Sequence, residues 1–149
     1  MIDRSHVDRM LFCQYTLAPR SPDPSTKGGC IIYAEYGVSV GVGWNSFPIN
    51  MKVDDSYYSN RDLKYPRVIH AEMRALLGAS DQAFKGQLYC NLPPCSDCAK
   101  HICDAGLLEV YIAESGMKSE WARRCSASVQ LSMQLFDECS IKVVEVPGV

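Results

Sequence analysis

The sequence predicts an α/β protein, a three-layer α/β/α sandwich built on a mixed five-stranded sheet. Five short runs, at 28–35, 38–44, 87–92, 108–113 and 141–146, read as strands, the first two rich in Ile, Val and Tyr. The first two are split by a short turn and form a hairpin, and the others alternate with helical patterns, which places helices on both faces of one sheet. Size agrees: 149 residues, 47% of them hydrophobic, can build one core but not two ordinary ones, so residues 1–149 are expected to form a single domain.

Taken in order, residues 4–18 place Val7, Met10, Leu11, Gln14-Tyr15 and Ala18 near the spacing of one helix face, with Ser5 as the expected N-cap. Pro19 to Gly29 holds three prolines, two serines and two glycines and is read as a loop feeding the hairpin, whose turn falls at Tyr36-Gly37. The polar, tyrosine-rich stretch 45–67 is long for a loop, and such loops are usually functional or mobile. A helix over 68–79 is supported by Ala71, Met73, Ala75, Leu76 and Leu77, with His70 and Glu72 at its start. Pro93-Pro94 ends the third strand, a helix over 95–105 stops at Gly106, and 118–138 reads as one amphipathic helix with Trp121, Val129, Met133, Leu135 and Phe136 as core candidates.

Composition narrows the function. Fifteen Lys and Arg against seventeen Asp and Glu leave no net positive field, which argues against a polynucleotide partner while permitting a small anionic ligand in a local basic pocket. No apolar run approaches the ~18 residues of a membrane span, and Met1-Ile2-Asp3-Arg4-Ser5-His6 lacks the basic-then-apolar order of a secretory signal, so a cytoplasmic protein without membrane contact is expected. The eight cysteines then point to metal binding or buried thiols rather than disulfides. Cys13, Cys30, Cys90, Cys103, Cys125 and Cys139 read as small buried hydrophobes, with a second metal site at Cys30 and Cys90 the weaker alternative.

The chemistry rests on two segments, each at an expected helix start: His70-Ala71-Glu72 and Pro94-Cys95-Ser96-Asp97-Cys98. One imidazole and two thiolates suit Zn2+, and three protein ligands leave the fourth tetrahedral position to water, the arrangement of a single catalytic ion. Zinc lowers the pKa of that water toward neutrality and makes hydroxide available at pH 7. Glu72, two residues from His70, cannot share its direction on a helix and is better placed to shuttle protons. His-x-Glu followed by Pro-Cys-x-x-Cys is the signature of zinc nucleobase deaminases, in which the hydroxide attacks the carbon bearing the amine. A lone Cys-x-x-Cys would more often be a structural zinc or redox site, and a closed zinc site would need a fourth ligand, for which His101 is the nearest candidate.

Four blocks resemble the deoxycytidylate deaminase family along most of the chain: Asp23-Pro24-Ser25-Thr26-Lys27-Gly28-Gly29, Gly43-Trp44-Asn45-Ser46-Phe47-Pro48, Lys64-Tyr65-Pro66-Arg67-Val68-Ile69-His70-Ala71-Glu72 and Pro94-Cys95-Ser96-Asp97-Cys98-Ala99-Lys100. The resemblance implies a cytidine deaminase-like fold and conversion of dCMP to dUMP, the precursor for thymidylate synthesis. It also implies a homo-oligomer, a hexamer in many members, with dCTP and dTTP as effectors. Asn45 matches a substrate-contacting asparagine.

The residues themselves add further substrate contacts. Ser21, Ser25, Thr26 and Lys27 combine hydroxyls, a cation and backbone amides suited to a 5′-phosphate, or to ordinary turn chemistry. Tyr65, Arg67 and Tyr111 are read as nucleotide-facing or as packing residues, and Ala71 and Pro94 complete the expected substrate set beside the metal ligands. After His-Ala-Glu the family reads Leu-Asn-Ala, whereas Met73-Arg74-Ala75 puts a guanidinium one turn beyond His70, as a phosphate ligand or an internal partner. Trp44 and Ser46 replace tyrosine and glycine, and with Arg74 they leave strict dCMP specificity and regulation open. Three alternatives stay beside this reading: deamination of another cytosine nucleotide or nucleoside, a non-catalytic nucleotide-binding protein of the same fold, and a nucleic-acid editor, which the acidic balance disfavours.

Overall fold

Side-chain alternation along one central strand separates the layers. In the computed structural model, which describes residues 1–149, β1 (Gly29–Tyr33) sends Cys30 and Ile32 to one face of the sheet and Ile31 to the other. β1 pairs antiparallel with β2 (Ser39–Trp44) on one side and with β3 (Gln87–Cys90) on the other. β3, β4 (Glu109–Ala113) and β5 (Lys142–Val146) run parallel, giving the order β2-β1-β3-β4-β5 and the mixed sheet the sequence predicts.

The first face is covered by α1 (Arg4–Phe12) and the irregular helical turns after it, through Met10, Cys13 and Leu17 against Ile31, Tyr89 and Tyr111. Its N-cap is Asp3, which accepts from the Ser5 backbone N–H at 2.7 Å, so Ser5 lies inside the helix rather than at its cap. Residues 13–20 continue as a π turn (Cys13–Leu17) and a 3-10 turn (Ala18–Arg20), the latter containing Pro19.

Inside the expected loop at 45–67 the chain forms two short helices, α2 (Ser56–Ser59) and α3 (Arg61–Lys64); Asn60 caps the second by accepting from the Asp62 N–H. The helix expected over 68–79 begins later than expected. Residues 68–70 are extended because Ile69 exchanges both backbone hydrogen bonds with Ser46, and α4 spans Ala71–Ala79 with His70 as its N-cap. α5 (Ser96–Asp104) follows β3, and Gly106 beyond it takes φ +75°, a conformation open to glycine. The helix expected over 118–138 is instead three pieces, α6 (Glu114–Met117), α7 (Glu120–Arg124) and α8 (Ser126–Glu138). Ser119 caps α7, and Cys125 leaves helical geometry before α8. α4, α5 and α8 cover the second face through Ala71, Ala75, Ala79, Ala99, Ile102 and Phe136. No helix is long and apolar enough to cross a membrane.

Two contacts set the height of α4. Small alanines face the sheet, and a Cβ at Gly43 would stand 2.2 Å from the Ala71 carbonyl oxygen, so only a bare backbone lets the first turn of α4 settle on β2. The loop before β1 is held from the other side. Asp23 Oδ1 accepts from the Ser25 and Thr26 backbone amides at 2.9 and 3.2 Å, and its Oδ2 lies 2.6 Å from Lys64 Nζ in a largely buried ion pair. Burial alone would raise the Asp23 carboxyl, but Lys64 and those amides outweigh it and hold it below the ordinary range.

Gly43→Ala is therefore expected to cost about 1–3 kcal/mol in urea unfolding, because α4 must lift from β2. Asp23→Asn leaves Lys64 buried without its partner and is expected to cost about 3 kcal/mol. Because the native Asp23 pKa is depressed, its contribution is present above the unfolded value of about 3.9 and is lost as pH falls through the lower folded value. The stability gap between wild type and Asp23→Asn should hold from neutral pH to about pH 5 and shrink below about pH 4.

Candidate metal and active site

The site forms where the carboxyl end of β3 meets the amino end of β1, beside the point at which the sheet changes from antiparallel to parallel pairing. Two asparagines shape this edge. Asn91 accepts from the Gly29 N–H at 2.7 Å and donates to the Lys27 carbonyl at 3.0 Å. Asn45 accepts from the Gly28 N–H and donates to the Thr26 carbonyl, both at 2.8 Å. The loop is pinned to the strands through side-chain amides.

Against this edge two helix starts converge. His70 is the N-cap of α4 and Cys95 the N-cap of α5, with Cys98 in the first turn behind it. The ligand atoms of His70, Cys95 and Cys98 all lie within 4.8 Å of one another. His70 Nδ1 stands 3.4 Å from Cys95 Sγ and 3.5 Å from Cys98 Sγ. Tetrahedral zinc with ordinary Zn–N and Zn–S bonds would separate those atoms by about 3.6 Å, so the donor set fits the ion in type and in spacing. The Cys95 thiol is drawn down to about 4, first by its contact with Cys98 and then by His70. Its thiolate in turn raises His70 to about 9. With three acidic groups crowded together, Cys98 is pushed upward, chiefly by the Cys95 thiolate. Such a cluster of thiols and imidazole is a ready ligand set for a soft or borderline cation.

Glu72 lies in the first turn of α4 and is buried at 7% exposure. Burial raises its carboxyl above the ordinary value, against the pull of His70. It faces, with His70, Ala71 and Cys95, a cavity of about 650 Å³. That size is within the usual range for a small-molecule site.

Thr26, Asn45 and Tyr65, expected as substrate contacts, join those four in the cavity wall. Other expected contacts are not brought there. Tyr111 is a correction: it points to the opposite face of the sheet, buried against Tyr89 and the His6 ring, with its hydroxyl donating to Glu109 Oε2 at 2.6 Å. Arg74 points away as well, donating to the Phe47 carbonyl at 2.8 Å beside a separate cavity that also contains Trp44 and Ser46. Ser21 is buried and donates to the Asn45 carbonyl, and Lys27 donates to the Ser21 carbonyl. Ser25 donates to Asp23 Oδ1, and Arg67 donates to the Leu63 carbonyl. Pro94 sits behind the wall, its carbonyl accepting from Ser132, and Pro93 takes its place in the lining. His101 is exposed and bound to the Asp97 carbonyl, so it is no fourth ligand, and Cys30 and Cys90 form no second metal group.

The wall also contains residues that the sequence reading does not single out, Arg61, Lys64, Leu92, Arg124 and Ser128. Trp121, expected in the core, is half-buried in the same wall because the break at Cys125 turns α7 toward the cavity.

Comparison with known proteins agrees with this geometry. The model of the cytidine and deoxycytidylate deaminase zinc-binding region matches residues 5–114. The chain is 29% identical over 127 residues to an uncharacterized deaminase of Aliivibrio fischeri, covering 85% of this chain and 84% of that protein. It is 41% identical over 101 residues to the deoxycytidylate deaminase of Homo sapiens, covering 62% of this chain and 56% of the human one; the match thus spans just over half the length of that relative. Among solved structures, the dCMP deaminase of cyanophage S-TIM5 in complex with dCMP and dUMP superposes with a TM-score of 0.73 over 98% of this chain and 99% of its own, at 21% identity, a likeness of fold. Acinetobacter baumannii RibD shares the fold at a TM-score of 0.65 and 20% identity, covering 96% of this chain and 35% of that one. With the zinc-binding-region match extending over both helix starts that carry the metal-ligand cluster, the chain belongs to the cytidine and deoxycytidylate deaminase family.

Proposed function

We propose that this chain hydrolyses dCMP to dUMP and ammonia, with His70, Cys95 and Cys98 holding one catalytic zinc ion and Glu72 moving the protons. The observation that carries the reading is a buried carboxyl in the same cavity wall as His70 and Cys95, two members of an incomplete, three-donor metal set that Cys98 completes from behind. A structural zinc needs four protein donors and no cavity. The similarity to deoxycytidylate deaminases favours dCMP among cytosine substrates.

His70, Cys95 and Cys98 would hold the zinc ion, which when bound would supply a water acidic enough to ionise near neutral pH. Glu72 accepts a proton from the attacking water and delivers it to N3 of the cytosine ring as the C4–O bond forms. It then takes the remaining proton from the hydroxyl now on C4 and passes it to the exocyclic nitrogen as the C4–N4 bond breaks. The water oxygen remains as O4 of uracil and the amine departs as ammonia. The raised Glu72 carboxyl suits a group that must both take and return a proton. Asn45, fixed by its bonds to Gly28 and Thr26, supports the sugar side of the cavity, and Tyr65 stands exposed at its mouth. The same reading includes a homo-oligomer, supported by the family resemblance and by exposed Ile49, Leu77, Val42 and Val53 around the second cavity. dCTP and dTTP are its proposed effectors, by resemblance alone, and light scattering with and without each nucleotide checks both points.

Zinc-loaded protein incubated separately with dCMP, CMP, deoxycytidine and dCTP should lose cytosine absorbance fastest with dCMP; turnover of none would sink the enzyme reading. Glu72→Gln should retain zinc, measured by elemental analysis, while turnover falls by about 10²–10⁴-fold. Cys98→Ala should lose zinc and activity together.

A further inference from the structure

Basic side chains near the site divide sharply into those already engaged and two that are not. Lys64 is paired with Asp23, Lys27 donates to the Ser21 carbonyl, Arg67 to the Leu63 carbonyl and Arg123 lies 3.2 Å from Glu120. Arg61, in α3, and Arg124, at the end of α7, are exposed and have neither a hydrogen bond nor an ion pair, and both line the cavity that holds Glu72. They also line an adjoining polar cavity of about 580 Å³, together with Thr26, Leu92 and Trp121. His70, Glu72 and Cys95 line only the first cavity. The two arginines therefore stand on the ridge between the cavities, at a part of the site separate from the metal ligands.

We propose that Arg61 and Arg124 clamp the 5′-phosphate of the substrate and make the site selective for a nucleotide over a nucleoside. The proposal rests on the reading of the cavity as a cytosine-nucleotide site. A base whose C4 faces the metal ligands and Glu72 carries its phosphate at the far end of the sugar, toward the ridge. The loop 21–27, the other claimant, has most of its donors committed: the Ser25 and Thr26 amides and the Ser25 hydroxyl all go to Asp23, the Ser21 hydroxyl to the Asn45 carbonyl and Lys27 Nζ to the Ser21 carbonyl, which leaves the neutral Thr26 hydroxyl facing the cavities beside the two arginines. A phosphate monoester carries about −1.5 to −2 charge at pH 7, which two guanidinium groups balance. Their planar forks offer paired donors to its oxygens. Because Arg61 and Arg124 come from two separate helices, both outside the metal-binding segments, they recognise the phosphate without contributing to the proton transfers at C4.

Arg61→Gln and Arg124→Gln should each raise KM for dCMP by about 10–100-fold, the range of a lost charge-assisted hydrogen bond, with kcat changed far less. The loss in kcat/KM for dCMP should exceed that for deoxycytidine at least tenfold, and Arg→Lys at either position should recover part of it. Calorimetric titration with dUMP and deoxyuridine supplies a readout independent of turnover: wild type should prefer dUMP, and each Gln variant should lose that preference. Equal losses for dCMP and deoxycytidine, no loss, or a wild type that binds both products alike would overturn the clamp. A protein that turns over no cytosine substrate yet shows arginine-dependent preference for dUMP would refute the deaminase reading and leave the clamp standing.

Discussion

Everything at this site depends on bringing two helix starts close enough for three side chains to share one ion. Neither helix does this alone. α4 reaches its position because Gly43 lets its first turn lie directly on β2, and α5 reaches its own because β3 hands the chain over Pro93-Pro94 to the N-cap at Cys95. The parallel pairing of β3 with β4 requires a crossover, and α5 is that crossover, so the fold places its N-terminus at the carboxyl edge of the sheet. The Cys98 backbone amide in the first turn of α5 then donates to Cys95 Sγ at 3.5 Å, which favours thiolate there.

Around this centre the two sides of the cavity are built differently. The wall formed by the loop at 23–28 is rigid by hydrogen bonding, with Asp23, Asn45 and Asn91 each tying loop to strand or helix. The rim contributed by α3 and α7 is short-helical and carries two arginines, Arg61 and Arg124, without internal partners. A pre-organised wall near the reacting carbon and cations at the rim form a division suited to a small anionic substrate: position the chemistry firmly, and recognise the charge where the site opens.

The metal site is legible in the sequence because its chemistry demands particular residue types at short spacings: His70 and Glu72 two apart, Cys95 and Cys98 three apart, each pair at a helix start. Four of the five strands are legible for a similar reason, through their Val and Ile, and the third, without a β-branched residue, through Gly86 before it and Pro93-Pro94 after it. What escaped depends on direction. On β4, Tyr111 shares a face with Glu109 and Ala113 while Val110 and Ile112 face α4 and α5; alternation reveals the grouping but not which group meets the site. The loop 21–27 has the composition of a phosphate cradle, yet Asp23 consumes its donors internally, and only the pairing with Lys64, forty-one residues later, shows this. Trp121 was indistinguishable from a core residue because the chain break at Cys125, which turns it into the cavity wall, follows from backbone geometry rather than from any glycine or proline.

X-ray absorption at the zinc edge of the zinc-loaded protein tests the central claim, an open three-ligand centre, most directly. Two sulfur neighbours at about 2.3 Å and two lighter ones at about 2.0–2.1 Å, with outer-ring scattering from a single imidazole, correspond to one histidine, two cysteines and one solvent oxygen. Four protein donors, or a set lacking either sulfur, would contradict it.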